Sequence, residues 1–160
     1  TAGAKPALMD ALRVLLEPGD EVLIPAPFWP TFLDQARWAG GVPKMVPPGE
    51  DGIVSVASLD QAAGERARVL ILNSPVNPSC RVLGAELMGE IAAWAAARDL
   101  WILADQAYLH LAFDPPAHSR RISCAAGDSQ ACFRLDRQLH RRLQPQFPDA
   151  NGGRLRRLRP

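Results

Sequence analysis

Residues 69–78 read Val69-Leu70-Ile71-Leu72-Asn73-Ser74-Pro75-Val76-Asn77-Pro78. Val69 to Leu72 form a continuous apolar run, the pattern of a strand covered on both faces, and the prolines at 75 and 78 exclude helix directly after it. A second such run, Leu100-Trp101-Ile102-Leu103-Ala104, delivers Asp105 at its carboxyl end. Between the two, Leu87, Ile91, Trp94 and Ala95 recur as one stripe of a helix expected from about Ala85 to Arg98. Strand, helix and strand at this spacing make a βαβ unit, so the fold class is α/β with a mostly parallel sheet. In such sheets ligands gather at the carboxyl ends of strands, which makes the Asn77 loop and Asp105 candidates for one shared site.

Toward the N-terminus the same alternation continues. Pro6 suits the first turn of a helix, and Leu8, Ala11, Leu12, Leu15 and Leu16 follow at helical spacing until Pro18-Gly19-Asp20 breaks the pattern. Val22-Leu23-Ile24 reads as a short buried strand. Phe32, Leu33 and Ala36 suggest a second helix stopped at Gly40-Gly41, and Val42 to Val46 is an expected edge strand because Pro43 lacks a ladder donor. Ser58 is an expected cap for a short helix running toward Ala63. Trp38, Trp94 and Trp101 are assigned to the core.

Four stretches carry chemistry. Gly3-Ala4-Lys5 precedes a helix, whose N-terminal N–H groups and positive dipole end favour a phosphate. Trp29, in the proline-constrained loop Pro25-Ala26-Pro27-Phe28-Trp29, is placed to stack on a flat ring. The Asn77 loop and Asp105-Gln106-Ala107-Tyr108 complete the set. Each alone has a plain reading: a helix start, a core aromatic, an Asn-Pro turn, a strand-end cap. In this order and at these separations they resemble the large domain of the class I (fold type I) pyridoxal-phosphate aminotransferases, of the bacterial aspartate or aromatic kind.

The resemblance covers about residues 1–114 and implies a three-layer α/β/α large domain, here incomplete. It implies pyridoxal 5′-phosphate as cofactor, with Gly3, Ala4 and Lys5 on the phosphate, Trp29 on the ring face, and Asn77 and Tyr108 on the 3′-oxygen. Asp105 would keep the pyridine nitrogen protonated, making the ring an electron sink. The implied partners are an amino acid, a 2-oxo acid and a second copy of the chain in a homodimer, with no nucleic acid and no membrane. Cys80 stands where glycine is usual in that family, and Gln106 where glutamate is usual. Loss of glycine would strain the loop if positive φ is required there.

No catalytic residue is assigned, because the lysine that attaches the cofactor covalently has no counterpart. The chain has only Lys5 and Lys44, and the region roughly thirty residues beyond Asp105, by that family's layout, reads Cys132-Phe133-Arg134-Leu135-Asp136-Arg137. The chain is therefore expected to be a fragment that starts well inside a complete enzyme, or a noncatalytic remnant.

Composition sets the bounds. The 160 residues are 48% hydrophobic and 22% charged, which excludes disorder and collagen classes. Neither an apolar run of membrane-spanning length nor a signal peptide is legible at Thr1 to Lys5, so the expected compartment is the cytoplasm. Up to Pro116 there are 8 basic and 14 acidic residues, and after it 10 and 3. Residues 115–160 are expected to be an irregular tail rich in arginine, disordered or produced by a shift of reading frame beginning near codons 112–122. Its charge raises a nucleic-acid reading, with Phe133 and Phe147 stacking on bases, but charge runs are usually solvated and the tail is too poor in aromatics and order to carry it, so no nucleic-acid partner is expected. His118, Cys124, Cys132 and His140 are spaced too widely for a structural zinc site. A Rossmann-type nucleotide module fails for want of a G-x-G-x-x-G after a strand.

Overall fold

A computed structural model describes residues 3–108 and the backbone of residues 132–135. In chain order the elements are α1 (Ala4–Leu15), β1 (Glu21–Pro25), α2 (Thr31–Trp38), β2 (Val42–Val46), α3 (Val56–Ala62), β3 (Ala67–Asn73), α4 (Ala85–Ala97), β4 (Trp101–Asp105) and β5 (Cys132–Leu135). The strands form one sheet in the order β2-β1-β3-β4-β5, every pair parallel.

Alternation along each strand divides the apolar side chains between two layers. Val22, Ile24, Val69, Ile71 and Leu103 pack with Leu8 and Leu12 of α1 and with Phe32 and Ala36 of α2. Leu23, Leu70, Leu72 and Ile102 face the other way, onto Leu59 of α3 and Ile91 and Ala95 of α4. The result is the expected three-layer α/β/α arrangement. The middle residues of its central strands, Val22–Ile24, Val69–Leu72 and Ile102–Ala104, are all apolar because both faces are covered. Pro43 lies, as expected, on an edge strand, since among the described residues β2 pairs only with β1.

The amino ends of β1 and β3 are tied by Arg66, which donates to the carbonyls of Pro18 and Gly19 and to Asp20, each at 3.0 Å. Gly19, at φ 88°, makes the turn that brings Pro18-Gly19-Asp20 under that guanidinium.

Three expectations are corrected. The cap of α3 is Ser55, not Ser58: the Ser55 hydroxyl accepts the Ser58 N–H, and the Ser58 hydroxyl accepts the Ser55 N–H, both at 3.1 Å. Ser58 is the inner half of a capping box rather than its outer residue. Trp38 is not core but 74% exposed. It ends α2 off the face carrying Phe32, Gln35 and Ala36, whose spacing of three and four places those residues together. Trp94 and Trp101 are partly buried against the two apolar layers.

The third correction concerns residues 132–135, which fall in the stretch expected to be irregular yet pair with β4, Ile102 opposite Cys132 through Asp105 opposite Leu135. No periodicity announces this strand; the outer edge of β4 offers the ladder that holds it. The remainder of 115–160, including His118, Cys124, His140 and Phe147, lies outside the described residues. Among the described residues no helix is long and apolar enough to cross a membrane.

Candidate functional site

A cavity of about 230 Å³ opens at the carboxyl ends of β3 and β4, lined by Ala4, Lys5, Trp29, Phe32, Asn73, Asn77, Asp105, Ala107 and Tyr108. Six of the seven residues singled out in the sequence meet there. Gly3 does not line it, but is the N-cap of α1 at φ 134°, a conformation open to glycine, and offers no side chain to the first N–H groups of the helix.

Each wall has its own support. β4 ends by placing Asp105 at the base of the cavity, 8% exposed. Burial pushes its carboxyl above the ordinary value, while the Ala107 N–H, donating to Oδ1 at 3.0 Å, pulls it the other way. No ion pair reaches Asp105 among the described residues. The β3 loop brings Asn77 across so that its Nδ2 lies 3.4 Å from the Tyr108 hydroxyl. At the α1 end the Lys5 ammonium sits 4.7 Å from the centroid of the Trp29 ring, and Trp29 meets Phe32 edge to face at 5.7 Å. Gln35 of α2 holds the Lys5 carbonyl at 2.8 Å.

The arrangement is therefore a cradle with an anionic base, a cationic rim at a helix N-terminus, an aromatic wall and an amide-hydroxyl pair opposite. Sequence reasoning passed over Asn73, Phe32 and Ala107 in this wall. Asn73 opens the Asn-Ser-Pro-Val-Asn-Pro stretch, and its place as the last residue of a buried strand is the signal that marks it.

A family model for class I and II aminotransferases matches residues 1–135. The chain belongs to the class I and II aminotransferase family. Over 122 residues this aminotransferase-family chain is 43% identical to an aspartate aminotransferase of Streptomyces avermitilis, covering 74% of the chain and 30% of that relative. It is 38% identical over 135 residues to a probable N-succinyldiaminopimelate aminotransferase of Mycobacterium tuberculosis, covering 82% and 33%. The solved structure of the N-succinyldiaminopimelate aminotransferase from Mycobacterium tuberculosis superposes with a TM-score of 0.71 at 36% identity, over 85% of this chain and 35% of that one. An aromatic aminotransferase from Pyrococcus horikoshii gives 0.69 at 35% identity, over 72% and 32%. The chain thus spans about a third of the length of these relatives. The family match ends with β5, so the likeness extends beyond residue 114.

Proposed function

We propose that this chain supplies the cofactor-binding part of an aminotransferase that moves an amino group from an amino acid to a 2-oxo acid, with pyridoxal 5′-phosphate as cofactor. One observation carries the reading. Asp105 is a buried carboxylate with a raised pKa and no described cation beside it, at the base of a cavity rimmed by Lys5 and Trp29. Buried charge is stable only when paired, so this site favours a ligand that brings its own positive group, and a protonated pyridine nitrogen is one. The size fits a substituted ring, since an apolar cavity of roughly 150 Å³ already takes up benzene.

In this reading Gly3, Ala4 and Lys5 would hold the phosphate through helix-terminal N–H groups and the ammonium. Trp29 would cover the ring face, and Asn77 and Tyr108 would meet the 3′-oxygen. The bound cofactor supplies the electron sink that lets an amino acid lose its α-proton. Asp105 would hold the proton on the ring nitrogen, and its burial would keep that pairing away from water. The complete protein is read as a homodimer of the cytoplasm.

A second reading, a chain that binds cofactor without turnover, is favoured by the lysine inventory. Lys44 pairs with Glu21 at 3.2 Å on the sheet edge, and Lys5 is committed to the helix N-terminus. Titration of the 160-residue chain with pyridoxal 5′-phosphate tests the main proposal. Saturable change in visible absorbance and tryptophan fluorescence is expected, weakened in Asp105→Asn; a linear, unsaturable response overturns it. Adding an amino acid to the loaded chain separates the two readings by whether a 2-oxo acid is released.

A further inference from the structure

Asn73 joins the two polar walls of the cavity. Its Nδ2 donates to the backbone carbonyl of Asp105 at 3.0 Å, and its Oδ1 accepts the backbone N–H of Asn77 at 2.8 Å. Asn73 and Asp105 are register partners at the last paired rung of β3 and β4. The same Asp105 carbonyl also accepts the Ser74 N–H at 3.1 Å. Beyond that rung β3 gives way to a loop containing two prolines, which offers few N–H groups to hold it. The Asn73 side chain replaces the missing ladder and folds the loop back over the strand end. Asn77 then reaches Tyr108, and Tyr108 follows the Ala107 N–H that holds the Asp105 carboxylate. The contacts close a ring from Asp105 through Asn73, Asn77 and Tyr108 back to Asp105.

We propose that Asn73 is a positioning residue: its one amide fixes the spacing between the Asp105 carboxylate and the Asn77–Tyr108 pair, so that a ring nitrogen and a ring oxygen are recognised together. This rests on reading the cavity as a pyridoxal-phosphate site. Asparagine suits the task because a short side chain carries a donor and an acceptor on one rigid plane; aspartate keeps the acceptor alone, and alanine neither.

Titrating the 160-residue chain with pyridoxal 5′-phosphate across pH, by visible absorbance and tryptophan fluorescence, tests the role in wild type, Asn73→Ala, Asn73→Asp and Ser74→Ala. Ser74→Ala removes the hydrogen bond from the Leu83 N–H in the same loop, at 3.1 Å, without touching the cavity lining. Asn73→Ala is expected to weaken binding on the order of tenfold and to move the pH midpoint of the bound cofactor's absorbance change. Asn73→Asp moves the same midpoint with part of the affinity loss, and Ser74→Ala leaves both at the wild-type value. Wild-type affinity and midpoint in either Asn73 variant overturns the role while leaving the cofactor site intact, and so does an equal effect in Ser74→Ala. If circular dichroism finds Asn73→Ala unfolded, Asn73→Asp decides alone. A wild-type chain that binds no pyridoxal 5′-phosphate removes the site, and the role with it.

Discussion

Among the described residues the Asp105 carboxylate accepts a single hydrogen bond, from the Ala107 N–H at 3.0 Å, although the side chain is buried. Burial therefore outweighs that one donor and raises its pKa above 3.8. The folded chain holds this proton more tightly than the unfolded chain does. The associated stabilisation is complete below the unfolded value and is lost as pH rises through the higher folded one. Asp105→Asn is expected to be more stable than wild type at neutral pH, with the gap closing on acidification through the carboxylate range. Urea unfolding at stepped pH measures this. A constant gap at every pH contradicts it, and saturating pyridoxal 5′-phosphate should reverse the order.

The Trp29 ring meets both the Lys5 ammonium and, edge to face, Phe32. If its ring covers a bound heterocycle, Trp29→Ala lowers pyridoxal 5′-phosphate affinity by about 1 kcal/mol and Trp29→Phe by less. Calorimetric titration reads the difference, and equal affinity in all three chains rules out stacking.

Cys80 occupies φ 58°, the left-handed region, in the loop closed by the Cys80 N–H to Val76 carbonyl bond at 2.7 Å. A side chain there costs about 1 kcal/mol, so Cys80→Gly should stabilise by that amount while Cys80→Ala changes little. Denaturant midpoints distinguish the two; no gain from glycine would mean the loop carries no strain.

The reciprocal Ser55 and Ser58 bonds cap α3. Ser55→Ala is expected to cost about 1 kcal/mol, and the two serines to be non-additive in a double-mutant cycle, because removing either hydroxyl breaks the shared box. Strict additivity would show that each acts alone.

Local pattern made much of this legible. Val69–Leu72 and Leu100–Ala104 announce doubly covered strands because each residue must be apolar when both faces are packed. Pro43 reports an edge strand for the converse reason, a missing donor. Trp38 and Ser58 depart from their expected places because composition marks neither the outer side of a helix nor which of two serines comes first in a box. The strand at 132–135 depends on an edge of β4 that exists only once the sheet is assembled.

The sequence by itself determined the α/β class, the order of its central elements, and the residue types from Ala4 to Tyr108 that a phosphorylated aromatic ligand would require. Only the tertiary structure decided that Ala4, Lys5, Trp29, Asn77, Asp105 and Tyr108 line one cavity, and that Asn73 ties its walls together. Side-chain chemistry is written residue by residue, whereas proximity across a parallel sheet is set by register between strands far apart in the chain, here Asn73 opposite Asp105.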